Sequence, residues 1–175
     1  MANLSSAHGT LTITAPSGEI IEDFIAHIIN PWENAPSDYT PYLMPNPISS
    51  EDIEPVEGAE IPPSVTYNFS ATGRWAWLDT LHNIEAHLAP CVDAENLKRL
   101  TTIDGGIVAV WEFADVEESC SVLYCATVET LFKDGKVTVR TVSDTDYPYT
   151  KENYVALGFD AEDWCGDEED EELED

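Results

Sequence analysis

Leu11 and Ile13 stand between threonines in "GTLTITA", residues 9–15, with the two-residue period of a half-buried strand. The period then lengthens. Ile20, Ile21, Phe24, Ile25, Ile28 and Ile29 recur at three- and four-residue intervals after the start signal Pro16-Ser17, so the spacing predicts an amphipathic helix that Pro31 ends. Glu19, Glu22 and Asp23 sit in its first turns, where the helix dipole favours anions. A second strand is expected at "SVTYNFSA", residues 64–71. After the bend at Gly73, "RWAWLDTLHNIEAHL" places Trp77, Leu78, Leu81, Ile84 and Leu88 on one helical stripe that runs to Pro90. A short helix follows at "DAENLKRL". Three strand-like runs come next, "GGIVAVWEFA", "SCSVLYCATVETLF" and "KVTVRTV", with Asp134-Gly135 between the last two as a hairpin turn. "TKENYVALGF" closes the pattern as a helix capped by Thr150.

The order β-α-β-α-β-β-β-α predicts an α+β fold: an antiparallel sheet of about five strands with helices packed on one face. Residues 1–159 form one domain and residues 160–175 an acidic tail. Eight of the eleven prolines fall between residues 30 and 63, so no regular element is expected in that insertion. Its Trp32, Tyr39, Tyr42, Leu43, Met44 and Ile48 predict that it packs on the domain as a wrapping loop.

A formal charge of -28 changes the functional picture more than the fold, because 43% hydrophobic content and 17 aromatic residues in 175 are ample for a core. Residues 160–175 hold 11 acids and no base, and no Lys or Arg precedes Arg74. Such a charge repels phosphates, so direct binding to nucleic acid or an anionic membrane is not expected. Cations and basic protein surfaces are the natural partners. "MANLSSAHGTLTITAP" has neither a basic nor an apolar leader region, and the expectation is a cytoplasmic protein, in a host cytoplasm if phage-encoded, as a monomer or dimer. Four cysteines without a CxxC pair suit reduced thiols.

Enzyme signatures are missing: there is no phosphate-cradling glycine loop, GxSxG, HExxH or paired CxxC, so neither catalysis nor a cofactor is expected. His82, His87 and Cys91 are the best metal candidates, yet Pro90 and the five-residue step from His82 to His87 argue against a shared helical face. The stretch from Asp144 begins like a calcium loop, but Tyr149 and Val155 occupy the positions of the turn glycine and the bidentate carboxylate. Arg74, beside Trp75 and Trp77, reads as a structural base pairing with a carboxylate or an aromatic ring.

The remaining candidates are the acids of the three-strand run. Glu112, Asp115, Glu117, Glu118, Glu129, Asp144 and Asp146 lie on or beside predicted strands, where alternate residues share a face and repeat at about 6.6 Å. That spacing is close to a phosphate repeat, so a partner's Lys/Arg-lined groove could receive the array. The tail carboxylates Asp167, Glu168, Glu169, Asp170, Glu171 and Glu172 then act in long-range steering.

"YNFSATGRWAWLDTL", with its Gly73-Arg74-Trp75 turn between strand and helix, and "LTITAPSGEIIEDFIAHI" resemble small acidic ferredoxin-like proteins of phages and plasmids. The resemblance implies a ferredoxin-like variant, a mobile-element origin and an anti-defence role, anti-CRISPR or anti-restriction, with no catalytic residues. The expected function is a DNA mimic that inhibits a basic nucleic-acid-binding defence complex. Two other readings stay open: an acidic adaptor for a basic protein, and a halophilic protein whose charge is solvent adaptation.

Overall fold

The computed structural model describes residues 4–49 and 62–165, apart from the side chains of Arg74 and Cys120. In chain order these form β1 (Leu4–Thr14), α1 (Gly18–Phe24), a π-helical turn (Ile25–Ile29), α2 (Asn30–Glu33), β2 (Pro41–Leu43), β3 (Ile48–Ser49) and β4 (Ser64–Arg74). Then follow α3 (Trp77–His82), α4 (Ile84–Leu88), α5 (Ala94–Thr101), β5 (Ile107–Glu117), β6 (Val122–Lys133), β7 (Lys136–Tyr147) and α6 (Lys151–Ala156). The strands make one antiparallel sheet in the order β2-β4-β1-β5-β6-β7, with β3 also on the free side of β4.

The sheet has seven strands rather than about five, and the two extra ones come from the proline-rich insertion. β4 would otherwise be an open edge. Short segments supply it with partners: Met44 N–H donates to the Asn68 carbonyl at 2.8 Å, and Thr72 N–H donates to the Thr40 carbonyl at 3.3 Å. Proline is tolerated there because an edge strand need not donate from every residue. Leu43 packs on the core as expected of a wrapping segment, whereas Tyr42, Met44 and Ile48 remain exposed. Residues 50–61 lie outside the described part.

The first helix also differs from its expected end, since it runs through Pro31 into α2. The turn before it is π-helical, with the Asn30 N–H on the Ile25 carbonyl. Such widening makes room for a proline ring that would strike the carbonyl four residues back in a regular helix. Trp32 is thereby carried into the interior. The second long helix breaks instead at Asn83, whose N–H and side-chain amide both donate to the Asp79 carbonyl. Ser17, Asp93 and Thr150 cap α1, α5 and α6.

Helices α1 to α5 cover one face. Leu11, Ile13, Phe69, Trp111, Phe113, Val128 and Phe132 point from the sheet into this core, against Ile21, Phe24, Ile28, Trp77, Leu81 and Leu88. At its centre Trp32 stacks on Trp77 with ring centroids 5.5 Å apart, and Trp111 meets both edge-on at 6.1 and 5.7 Å. The second face is not bare, contrary to the one-sided expectation. α6 and the segment after it bury Tyr154 against Val116 and Leu123, with Tyr149, Leu157, Phe159 and Trp164 around them.

β1 crosses the middle of the sheet through Gly9, where a β-carbon would lie 1.9 Å from the Glu112 carbonyl oxygen and 2.7 Å from the Phe113 Cα. Only glycine permits this approach of β1 to β5. Replacing Gly9 by alanine should therefore lower the unfolding free energy by about 2–3 kcal/mol in chemical denaturation. Gly18→Ala, into open space, serves as the silent control; equal effects of the two would refute the close-approach argument.

Candidate functional site

Strand register distributes the seven candidate acids over two faces and two environments. Glu112 pairs with Thr127, and Glu129 with Val110, on the face opposite the main core. Glu112 is exposed, whereas Glu129 is half-buried and pairs with Arg140 at 3.2 Å. Asp115 and Glu117 have the opposite parity and point inward, at 0% and 5% exposure. They cannot belong to an exposed array. A β-bulge at Thr127/Val128 reverses the phase of β7, so Asp144 and Asp146 share the inward parity yet are exposed. Glu118 is exposed in the 3-10 turn between β5 and β6. A single carboxylate ladder on one face does not form.

Asp115 has a structural task in place of a surface one. Its Oδ2 accepts hydrogen bonds from the Trp77 backbone N–H at 2.6 Å, the Tyr124 hydroxyl at 2.5 Å and the Ser5 hydroxyl at 3.2 Å. It thus caps α3 from across the sheet. Gly73 makes the approach possible: a β-carbon there would lie 2.4 Å from the Trp77 nitrogen and 2.6 Å from Ser5 Oγ. Burial raises the Asp115 pKa, opposed by the hydrogen bonds from Tyr124, Trp77 and Ser5. The same burial, together with the Asp115 charge, raises the Tyr124 hydroxyl.

What the fold does gather is an acidic end. The β5–β6 turn, the start of β1 and the ends of β4 and β7 lie together at one end of the sheet. Glu118, Asp160, Glu162 and Asp163 cluster there, with Asp146 near this end on the opposite face of the sheet and Asp144 at mid-sheet, while the Lys133 and Lys136 turn lies at the opposite end with Lys98 and Arg99 on α5. Arg99 is engaged by Asp23 on α1. Glu118, Asp160, Glu162 and Asp163 ring a depression of about 420 Å³ beside Ser6, Val116 and Cys165. Their field is visible in neighbouring groups. Glu118 is the largest cause of the raised Cys165 thiol pKa, and Tyr154 is pushed up to about 12 by burial and then by Glu118 and Asp163.

Asp160, Glu162 and Asp163 were expected in the tail, yet they sit in an ordered turn. Asp160 Oδ1 accepts the Glu162 N–H at 2.9 Å, and Trp164 stacks on Tyr149 at 4.6 Å. Tyr154 stacks on Phe159 at 4.9 Å, and His8 from β1 meets Phe159 edge-on at 4.4 Å. An aromatic residue at every fifth position, Tyr149, Tyr154, Phe159 and Trp164, is the sequence signal for this second core. The tail carboxylates Asp167 to Glu172 lie outside the described residues.

His82 Nε2 bonds Thr141 Oγ1 at 2.9 Å, and the Cys91 thiol donates to the His87 carbonyl at 3.3 Å. Among the described residues, no three metal-binding side chains come together, no helix is long and apolar enough to cross a membrane, and Cys91, Cys125 and Cys165 are free thiols. No protein-family model, curated protein or solved structure matches the chain.

The Asp115 cap makes a prediction whose sign is unusual for an aspartate. Because burial raises its folded pKa above the ordinary 3.8, it contributes stability below that value and loses it as pH rises through the folded pKa. Asp115→Ala should cost about 2–4 kcal/mol by stranding three buried donors. Asp115→Asn should fold and lose less stability than the parent as pH rises above the ordinary carboxyl value of 3.8; parallel pH profiles in chemical denaturation would overturn this.

Proposed function

We propose that the protein is a non-enzymatic inhibitor that docks its acidic end in the Lys/Arg-lined groove of a nucleic-acid-binding protein. The observation that carries the reading is the gathering of exposed carboxylates: Glu118 of the β5–β6 turn and Asp160, Glu162 and Asp163 of the 160–163 turn ring one depression at one end of the sheet, with Asp146 of β7 near that end on the opposite face. A rigid cluster of this kind can hold the place of phosphates without an ordering cost, since the hydrogen-bonded strands and the aromatic packing of Tyr149, Tyr154 and Trp164 already fix its backbone. Kinship with ferredoxin-like proteins of phages and plasmids, and a defence complex of the CRISPR or restriction type as target, belong to the same proposal. Cys165, the last described residue, lies at this end, and the acids that follow it in sequence add to the long-range attraction of a basic partner.

The site is therefore an end of the sheet and not a strand-face ladder. Glu118, Asp160, Glu162 and Asp163 form its contact surface, with Asp146 at its margin. Asp115 and Glu117 support it from within.

Competition binding with a basic DNA-binding effector tests the reading. The protein should release duplex DNA from the effector without shifting DNA itself. The triple change Glu118→Gln, Glu162→Gln, Asp163→Asn should weaken inhibition at least about tenfold. Glu19→Gln, Glu22→Gln, Asp104→Asn removes the same charge at the other end and should leave inhibition nearly intact. Equal losses would reduce the mechanism to net charge. Truncation belongs after Cys165, because a cut after Gly158 would remove Phe159 and Trp164 from the second core. Loss of the tail should slow association more than it speeds dissociation; the reverse in stopped-flow would make the tail the principal ligand.

A further inference from the structure

The geometry points to a guanidinium-binding notch on the shoulder of the acidic end, built from Trp75 and Asp79, that takes an arginine side chain of the basic partner. The inference rests on the acidic-end reading and specifies its anchor. Trp75 is 52% exposed although the chain's other tryptophans on this side, Trp32, Trp77 and Trp111, are at most 1% exposed. Its backbone is left-handed, with φ 67, a conformation in which a bulky side chain is disfavoured. The corner does not relax because its next neighbours are fixed: Trp77 is buried and held by Asp115, and Gly73 lets α3 seat against the sheet. The indole is consequently presented from a rigid support.

Beside it lies a depression of about 420 Å³ lined by Trp75, Asp79, Thr80, Asn83, Ala86 and His87. Asp79 is exposed, four residues on from Trp75 and in the first turn of α3. Asn83 is turned away from ligand duty, as its amide donates to the Asp79 backbone carbonyl at 2.9 Å. An aromatic ring and a carboxylate bordering one depression match the two faces of a guanidinium: its plane stacks on the indole, and its edge donates to the carboxylate. An ammonium has no planar face to stack on the ring while its donors meet the carboxylate. Charge complementarity fixes the occupant's sign, and the ring selects arginine over lysine.

Oligo-arginine and oligo-lysine peptides of equal length provide the probes, with binding followed by calorimetry and by indole emission at neutral pH. The full-length protein should bind oligo-arginine about three- to tenfold more tightly than oligo-lysine and change its emission on binding. Trp75→Gly should abolish both the preference and the emission change while leaving the protein at least as stable, because glycine accepts the left-handed backbone. Asp79→Asn should reduce the preference and keep the emission change in part. Equal affinity for the two peptides, or a preference that survives Trp75→Gly, would overturn the notch and leave the acidic end standing. If neither peptide binds at low salt, the reading of the acidic end falls and the notch falls with it.

Discussion

One contact organises this fold: the backbone N–H of Trp77 on the buried carboxylate of Asp115, at 2.6 Å. It joins the first turn of α3 to the end of β5 through two residues 38 positions apart in the chain. A short helix starting over a sheet leaves unpaired N–H groups facing an apolar interior, and a carboxylate is the strongest acceptor that can meet one there. The arrangement needs Gly73 for clearance, and Tyr124 and Ser5 to share the charge. Once it is in place, Trp77 lies against Trp32 and Trp111, and Trp75 is turned outward on the same corner. Core packing and the exposed anchor are two consequences of one cap.

The two faces of the sheet do different work. The larger core, centred on the three tryptophans and Phe69, gives the domain its body. On the opposite face a smaller aromatic group fixes the C-terminal segment, and with it the turn that carries Asp160, Glu162 and Asp163. This second core stabilises few residues, but it converts part of a highly charged terminus into an ordered surface. Repulsion among these acids is tolerated because they sit at a solvated end, where water screens them, while the fully buried Asp115 is hydrogen-bonded by three donors.

The gathering of acids at one end follows from strand direction. Antiparallel pairing brings the start of β6 beside the ends of β5 and β7, so acids spaced widely in sequence meet at one end. The Asp134-Gly135 turn at the other end brings Lys133 and Lys136 together. A chain with only seven bases thereby keeps four of them, Lys98, Arg99, Lys133 and Lys136, away from its most acidic surface.

Much of this architecture was determined by local pattern. The alternation around Leu11, the Trp77–Leu88 stripe, the Ser17 and Thr150 caps and the Asp134-Gly135 hairpin are set by residues within a few positions of one another, and each appears where the pattern puts it. The overall acidity is likewise a property of composition. Tertiary structure alone decided which acids are surface and which are scaffold. Asp115 and Glu118 look alike in a sequence, but burial depends on which strand lies opposite and on a bulge that shifts β7 by one residue. Pairing of the proline-rich insertion with β4, passage of a helix through Pro31 and outward presentation of Trp75 were equally hidden, since each answers a demand made by a distant part of the chain: an unpaired edge, a crowded carbonyl, a helix start that had to meet Asp115.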